Sequence, residues 1–189
     1  MRILTVISIN DLCNLAENKI LGTSEFYLNS FSDVLLQDLN KMAKQELGQN
    51  TIGIVGFARL LNKTPSLCKD FSNLQDYLAI TDGLVIIEAE VPKDSLIFGD
   101  CTSVLDYSFN SENKSSQIIP SLFIHRDLQK YEDAFCFLSN LKLKQCLTML
   151  LIDEDWNITD NLDSLPNDVL KNLEDKGVKQ LKLEHINIF

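Results

Sequence analysis

Two glutamates, Glu88 and Glu90, close an apolar run in the stretch LVIIEAE. Side chains two residues apart on a strand point to the same face of a sheet, so the two carboxylates are predicted to lie side by side. Close pairs of carboxylates can divide the roles of general acid and general base. The alternative is that they form the solvated end of an antiparallel strand and have no chemical role.

The strand that carries these glutamates changes character along one face. Leu84 and Ile86 precede the glutamates on that face and are apolar. The opposite face is apolar throughout, with Val85, Ile87, Ala89 and Val91. A strand that changes in this way emerges from the core at the end of a sheet, which is where α/β folds tend to keep their sites.

Two other motifs lack the partners that their chemistry needs. HRDLQKYE, residues 125–132, begins like the catalytic loop of a protein kinase, but the chain has no glycine-rich nucleotide loop. LTMLLIDED, residues 147–155, has the form of a Walker B segment without any phosphate-binding P-loop. The acids at 153–155 are therefore interpreted as a turn, with a weak cation site or a contact for a basic partner as the alternatives.

The cysteines predict reduced thiols and no metal centre. The chain has five cysteines without a C-x-x-C pair, which is typical of a cytosolic core and not of a disulfide framework. Cys136 and Cys146 could meet His125 at a metal, but no zinc-ligand spacing is present. The full set is Cys13, Cys68, Cys101, Cys136 and Cys146.

Composition favours one acidic domain that spans residues 1–189. The chain is 45% hydrophobic, with 27 acidic and 17 basic side chains and a formal net charge of −10. This sign argues against direct gripping of nucleic acid and favours a basic protein partner. No signal-peptide pattern or membrane-length apolar stretch is present, so we expect a cytoplasmic protein, and leaderless secretion as an effector is equally compatible.

The order of elements predicts an α+β fold, a single domain with a mixed, mostly buried β-sheet flanked by helices. Residues 23–30 are interpreted as a strand or a loop, 51–61 are ambiguous, and 101–120 are expected to form a long surface loop. Strands are predicted at 2–9, 83–91, 95–100, 147–152 and 178–189. Helices are predicted at 11–20, 32–47, 65–80, 127–141 and 166–177, the first of them capped by Asn10 and Asp11 and closed by Gly22.

Over roughly its first hundred residues the chain resembles the bacterial ADP-ribosyltransferases. Many members carry an arginine on the first strand, a Ser-Thr-Ser-like stretch and then an E-x-E pair, in that order. Here the matching positions are Arg2, Thr23 and Ser24 in GTSEF, and Glu88-Ala89-Glu90. The resemblance implies a split ADP-ribosyltransferase-like sheet with NAD as cofactor. It also implies transfer of ADP-ribose to a macromolecular (protein) target by a toxin, an effector or a mobile-element protein.

The same resemblance implies a role for each matching residue. Arg2 would lie near a phosphate or ribose hydroxyl, and Ser24 would help to place Glu90. Glu90 would hydrogen-bond the nicotinamide ribose and stabilise the positive charge that builds as nicotinamide leaves. Glu88 would orient or deprotonate the accepting group.

A non-enzymatic alternative stays open at this point. An acidic inhibitor or immunity protein would use its negative surface to associate quickly with a basic protein partner. The two hypotheses differ in whether Glu88 and Glu90 line a site or lie on a convex exposed face.

Overall fold

A mostly antiparallel sheet forms the centre of the molecule in a computed structural model that describes residues 1–59, 84–101, 104, 124–125, 133–152, 158–159 and 165–180. The strands are β1 (Arg2–Ser8), β2 (Ile20–Leu21), β3 (Ile54–Arg59), β4 (Leu84–Glu90), β5 (Ile97–Asp100), β6 (Ile124–His125), β7 (Asp133–Leu138), β8 (Leu141–Lys142), β9 (Cys146–Ile152), β10 (Ile158–Thr159) and β11 (Lys179–Gln180).

The main sheet has the order β10-β9-β4-β1-β3-β7-β5-β6, and β11 pairs with β9 off this path. The pairing of β11 with β9 is parallel, whereas the pairings along the main path are antiparallel. β2 and β8 form a separate two-stranded ribbon. The mixed sheet of an α+β fold, predicted from the sequence, is therefore confirmed.

Helices cover both faces of the main sheet. They are α1 (Ile9–Asn18), α2 (Glu25–Ser30), α3 (Asp33–Met42), which continues as a π-helical turn at Ala43–Leu47, and α4 (Asn167–Asp175). One apolar cluster joins α2 and α3 to the sheet, and a second joins α1 and α4 to it. None of the described helices is long and apolar enough to cross a membrane.

β1 is buried on both faces because helices pack on each side of the sheet, and its edges pair with β3 and β4. Leu4 and Val6 pack in the cluster with α2 and α3, while Ile3 and Ile7 pack in the cluster with α1 and α4. Residues 3–7 are apolar except for Thr5, whose hydroxyl donates to the Val55 carbonyl, and such a run is typical of a strand covered on both faces. The strands predicted at 2–9, 83–91 and 147–152 are all found as strands.

The helix predicted at 127–141 is wrong over the described residues, because Asp133–Leu138 is strand β7. Phe135 and Phe137 pack with α2 and α3, and Cys136 packs on the opposite face. A segment that is apolar on both sides gives no clear alternation, so a buried strand can show the spacing of a helical stripe. Its position between β3 and β5 determines the strand.

The first helix begins earlier than predicted. Ser8, not Asn10 or Asp11, caps α1: its hydroxyl accepts a hydrogen bond from the backbone N–H of Asp11. The Asp11 carboxylate accepts one from the Ser8 N–H in return, which completes a capping box. The helix ends at Lys19 in the left-handed conformation, with φ 63°, and not at Gly22.

The segment 23–30, predicted as a strand or a loop, contains helix α2. The ambiguous segment 51–61 contains strand β3. Its two glycines lie where neighbouring backbone leaves little or no room for a side chain. A Cβ atom on Gly53 would lie 1.9 Å from the carbonyl oxygen of Gly22, and one on Gly56 would lie 3.0 Å from the carbonyl oxygen of Leu4. The close approach of neighbouring backbone therefore requires glycine at Gly53.

Three of the remaining predicted elements are present, and other predicted segments lie outside the described residues. The helix at 32–47, the strand at 95–100 and the helix at 166–177 are present as α3 with its π-helical turn, β5 and α4. Residues 65–80, most of 101–120 and 181–189 lie outside the described residues. Cys101 and Val104 are buried, so the expected surface loop does not begin at Cys101. The extent of a single domain over the whole chain stays a prediction.

Candidate functional site

The register of β1 and β4 brings Arg2, Glu88 and Glu90 to one end of the sheet. In this antiparallel pair Arg2 lies opposite Glu90, and Leu4 lies opposite Glu88. Directly paired residues share a face, and residues two apart do so as well. The three polar side chains therefore lie on the face of Leu4, which is the face covered by α2 and α3.

Glu88 is buried and fixed by donors from both neighbouring strands. Arg2 Nη1 donates to Glu88 Oε1 at 3.2 Å, and Thr148 Oγ1 donates to Glu88 Oε2 at 3.0 Å. The residue is 6% exposed. A carboxylate removed from water is stable only when it is paired and hydrogen-bonded, and here both oxygens are occupied. Glu88 is thus a fixed charge that connects β1, β4 and β9.

A β-bulge lies directly beside this charge. Along β4, Glu88 pairs with Thr148 on β9 but Ala89 pairs with Cys146, so Leu147 is the extra residue. The bulge keeps Thr148 on the same face as Glu88 and turns Cys146 to the opposite face, where it packs with α1 and α4. Bulges are frequent next to active sites because they redirect a side chain and increase the local twist.

Glu90 differs from Glu88 although it lies on the same face two residues away. It is exposed, and among the residues that the structure describes no hydrogen bond or ion pair reaches it. Its backbone neighbourhood is ordered, since the N–H of Val91 donates to the carbonyl of Met1 at 2.8 Å. Arg2, directly opposite, has 47% of its side chain exposed. A free carboxylate and an accessible guanidinium therefore face solvent together.

Thr23 and Ser24 lie elsewhere, near the opposite end of β1. The backbone N–H of Glu25, next to Ser24, donates to the Asp11 carboxylate at 3.0 Å, and Ser8 Oγ lies 3.4 Å from a carboxylate oxygen of Glu25. β1 spans about 20 Å between its ends at roughly 3.3 Å per residue. The structure brings together three of the five residues named from the sequence and places the other two at a distance.

Ser24 has a clear structural task. It is 1% exposed, and its hydroxyl accepts from the N–H of Tyr27 at 3.2 Å, which caps α2. Its own N–H donates to the carbonyl of Gly53 at 2.8 Å. Both groups serve to attach α2 to the segment before β3, so the described contacts of Ser24 do not involve Glu90.

The Arg2 end offers groups that fit the ribose and phosphate parts of a nucleotide cofactor. A guanidinium binds phosphate oxygens, and a free carboxylate accepts from ribose hydroxyls. Arg2 retains N–H donors beyond the one given to Glu88, and Glu90 is unoccupied among the described residues. The Ser24 hydroxyl accepts from the N–H of Tyr27 on α2, and a cofactor role for Ser24 stays a prediction. A cofactor role for Thr23, which is exposed, stays a prediction.

Two notable residues were not predicted from the sequence: Thr148, which bonds to Glu88, and Tyr27 on α2. Thr148 is the only polar residue in the strand sequence CLTMLLI, and a single polar residue in an apolar strand is a usable signal for a buried contact. Tyr27 is 1% exposed, and its hydroxyl has no hydrogen-bond partner in the described part of the chain. Burial raises the pKa of Tyr27, so the phenol stays neutral.

The buried thiols are poor candidates for nucleophiles. Burial raises the pKa of Cys146 to about 12 and raises that of Cys136 well above the ordinary value. For half-buried Cys13, desolvation and the nearby Asp168 charge also raise the pKa. The thiolate is the reactive form, so these environments suppress reactivity. No group of three residues able to hold a metal ion occurs within the described ranges.

Comparisons with known proteins give matches among solved structures. No protein-family model and no curated protein matches the chain. Among solved structures, Thermus sp. 2.9 DarT in complex with ADP-ribosylated ssDNA is 9% identical, with a TM-score of 0.44 over 98% of this chain and 95% of that one. Thermus sp. 2.9 DarT in complex with carba-NAD+ is also 9% identical, with a TM-score of 0.37 over 98% and 97%. TM-scores this low carry no conclusion on activity.

Proposed function

We propose that this chain is an NAD-dependent ADP-ribosyltransferase of the toxin or effector kind that modifies a macromolecular target. The observation that supports the proposal best is the contrast between the two glutamates of the E-x-E pair. Glu88 is buried and bonded to Arg2, whereas Glu90 is exposed, lacks a described partner and lies opposite Arg2. The bond between Arg2 and Glu88 joins residues that are 86 positions apart in the chain.

NAD, when bound, supplies the ADP-ribosyl group, with nicotinamide as the leaving group. In the proposed site Glu90 accepts a hydrogen bond from a ribose hydroxyl. Its carboxylate places a fixed negative charge beside the positive charge that develops as the bond to nicotinamide breaks, which is electrostatic stabilisation. Glu90 has this capacity because no described group neutralises it.

Arg2 and Glu88 act as a unit in this proposal. Arg2 has several N–H donors in a rigid plane, so one can bond to Glu88 while others face a phosphate. Glu88 then serves as a positioning residue for Arg2, in place of the acceptor deprotonation expected from the sequence. The reason is that both of its carboxylate oxygens already accept hydrogen bonds, from Arg2 and Thr148.

The acceptor is proposed to be a protein with a basic surface. The chain carries a formal net charge of −10, which attracts cationic surfaces and repels the phosphates of nucleic acid. Single-stranded DNA is included in the acceptor panel beside basic proteins, so that the assay decides between the two classes.

The test measures nicotinamide release from NAD with and without acceptors, beside NAD binding by calorimetry. We expect Glu90→Gln to bind NAD yet lower the rate of release about a hundredfold or more, the usual effect of losing one electrostatic contact in the transition state. Glu46→Gln is the matched control, because Glu46 is an exposed glutamate on the π-helical turn. Its rate should equal that of the unaltered protein.

Failure of the proposal has a definite form. If the unaltered protein binds no NAD at millimolar concentration, the enzyme hypothesis is overturned. An equal decrease in nicotinamide release in Glu90→Gln and Glu46→Gln would likewise show that the end of β4 has no special role in the reaction. The acidic interaction protein then becomes the working hypothesis, and its test is capture of a basic partner that high salt releases.

A further inference from the structure

A pocket of about 380 Å³ lies on the side of the sheet opposite Glu88. It is formed by the end of α1, the β2–β8 ribbon and the end of α4. Its floor residue, Leu143, packs in the cluster with α1 and α4, whereas Glu88 lies on the α2–α3 face. The pocket is therefore distinct from the proposed active site. Its volume is within the range of small-molecule sites.

Lysine is the most frequent residue type around this pocket, whose lining surface is mostly apolar. Four of the seven lining residues are lysines and none is acidic, although the whole chain has 27 acidic and only 17 basic side chains. All four are exposed, so their ammonium groups keep their charge without a large desolvation cost. The four are Lys19, Lys142, Lys144 and Lys176.

Main-chain bonds determine this arrangement. Ile20 pairs with Lys142 in the β2–β8 ribbon, and the N–H of Leu143 donates to the carbonyl of Lys19 at 3.0 Å. The left-handed conformation of Lys19 turns the chain from α1 into β2. Backbone pairing thus brings the main chain of Lys19 beside that of Lys142 and Leu143.

The position of α4 is determined in the same way. The side-chain amide of Asn172 donates to the carbonyl of Ala16 at 2.6 Å, which ties α4 to the last turn of α1. Lys176 is the C-cap residue of α4. The contact therefore brings a fourth lysine to the pocket from a distant part of the sequence.

Lysines at helix ends have an ordinary explanation, which accounts for only part of the set. Lys19 donates to the carbonyl of Ala16, and Lys176 caps α4, so both complement the negative ends of helix dipoles. Lys142 and Lys144 lie on the ribbon and its short 3₁₀ turn and belong to neither helix. Neither has a carboxylate partner among the described residues.

We propose that this pocket binds a phosphate-bearing small molecule. Several ammonium groups around one cavity repel one another unless an anion lies between them, and phosphate is a common ligand of such clusters. The partly exposed side chain of Ile20 and the buried Leu143 provide an apolar wall for the uncharged part of the ligand. The site is predicted to prefer phosphate esters over the same molecules without phosphate.

The test is calorimetric titration with inorganic pyrophosphate, adenosine monophosphate and adenosine. The triple variant Lys142→Gln, Lys144→Gln, Lys176→Gln is compared with a triple control, Lys44→Gln, Lys93→Gln, Lys171→Gln. Both variants remove three exposed lysines, so they change the net charge equally. Circular dichroism and thermal melting of each variant verify that the fold is retained.

We expect pyrophosphate and adenosine monophosphate to bind, adenosine not to bind, and the pocket variant to raise the Kd at least about tenfold, with the control within about twofold. A single-stranded oligonucleotide that competes with pyrophosphate would identify nucleic acid as the source of the phosphate. An absence of pyrophosphate and adenosine monophosphate binding, or an equal loss in both triple variants, would overturn the proposal. Equal binding of adenosine and adenosine monophosphate would do the same.

Discussion

The two ends of strand β1 carry similar polar residues but use them differently. At the Ser8 end, the Asp11 carboxylate accepts from the backbone N–H groups of Ser8 and Glu25, at 3.3 and 3.0 Å. At the Arg2 end, Glu88 bonds to side chains, and Glu90 has no described partner. At the Ser8 end the polar side chains bond to the main chain and stabilise the fold, whereas at the Arg2 end some polar groups stay available to a ligand.

The cause of the difference lies in the backbone. At the Ser8 end the chain passes directly into α1, and the first N–H groups of a helix need acceptors from outside the helix. Ser8 and Asp11 supply these acceptors as a capping box. At the Arg2 end the strand ladder itself pairs the backbone, as in the bond from Val91 N–H to the Met1 carbonyl. The side chains there are not required by the main chain.

The largest expected effect tests the Ser8 end. Asp11→Ala leaves the N–H groups of Ser8 and Glu25 without their acceptor at a site where Asp11 is 3% exposed. We expect the free energy of unfolding to fall by about 2–4 kcal/mol. Urea denaturation measures it, with Asn14→Ala, an exposed position of α1, as the control. A loss under about 1 kcal/mol would contradict the structural role of this end.

The second effect concerns the fixed charge at the Arg2 end. Glu88→Gln replaces an ionised acceptor with an amide that can satisfy either Arg2 or Thr148 through its oxygen, while its nitrogen faces the other donor. We expect a loss of about 1.5–3 kcal/mol, the size of hydrogen bonds to charged groups. Thr148→Val should lower the free energy of unfolding by less, because it removes only the hydrogen bond from Thr148 to Glu88. Urea denaturation of both variants and of the Glu46→Gln control measures the three free energies of unfolding. A Glu88→Gln protein as stable as the control would show that the ion pair does not contribute to stability.

Sequence patterns predicted the strands well where the environment was uniform. The segments of β1, β4 and β9 are mainly apolar, with Thr5 inside β1, Thr148 inside β9 and two glutamates at the end of β4. A strand that is covered on both faces favours such a composition. The pattern failed at β7, where Phe135 and Phe137 face one cluster and Cys136 faces the other. Which partner strands flank a segment is not encoded within the segment, so the spacing alone could not exclude a helix.

The candidate site was predicted in part for a similar reason. Alternation along one strand was enough to place Glu88 beside Glu90. The β1–β4 register then determines that Arg2 meets them, whereas Ser24 lies near the far end of β1. Register depends on pairing across the sheet, and Thr148 enters the site through a bulge that no local pattern marks. Distances between elements therefore could not be obtained from the sequence.

A smaller effect tests whether the two ends belong to one site. Ser24→Ala removes the side-chain cap of α2, and we expect a loss of about 1 kcal/mol in urea denaturation. Nicotinamide release per folded molecule should be unchanged, because the described hydrogen bonds of Ser24 go to Tyr27, Leu28 and Gly53. Restored stability in Ser24→Asp, another good capping residue, is the control. A Ser24→Ala protein that is folded but inactive would place Ser24 in the site, as the resemblance implies.

The smallest expected effect on stability distinguishes the two ends most clearly. Glu90→Gln should leave the free energy of unfolding within about 0.5 kcal/mol of the unaltered protein, because an exposed side chain without a described partner loses no contact. Relief of repulsion from the buried Glu88 charge acts in the stabilising direction, whereas loss of attraction to Arg2 opposes it, so the two terms offset each other.

The same variant is expected to lose most of its nicotinamide release. Urea denaturation and the release assay on one protein sample give both quantities. A residue with little effect on stability and a large effect on rate acts on a ligand. If Glu90→Gln instead lowers stability as much as Glu88→Gln does, then Glu90 belongs to the fold, and the Arg2 end resembles the Ser8 end after all.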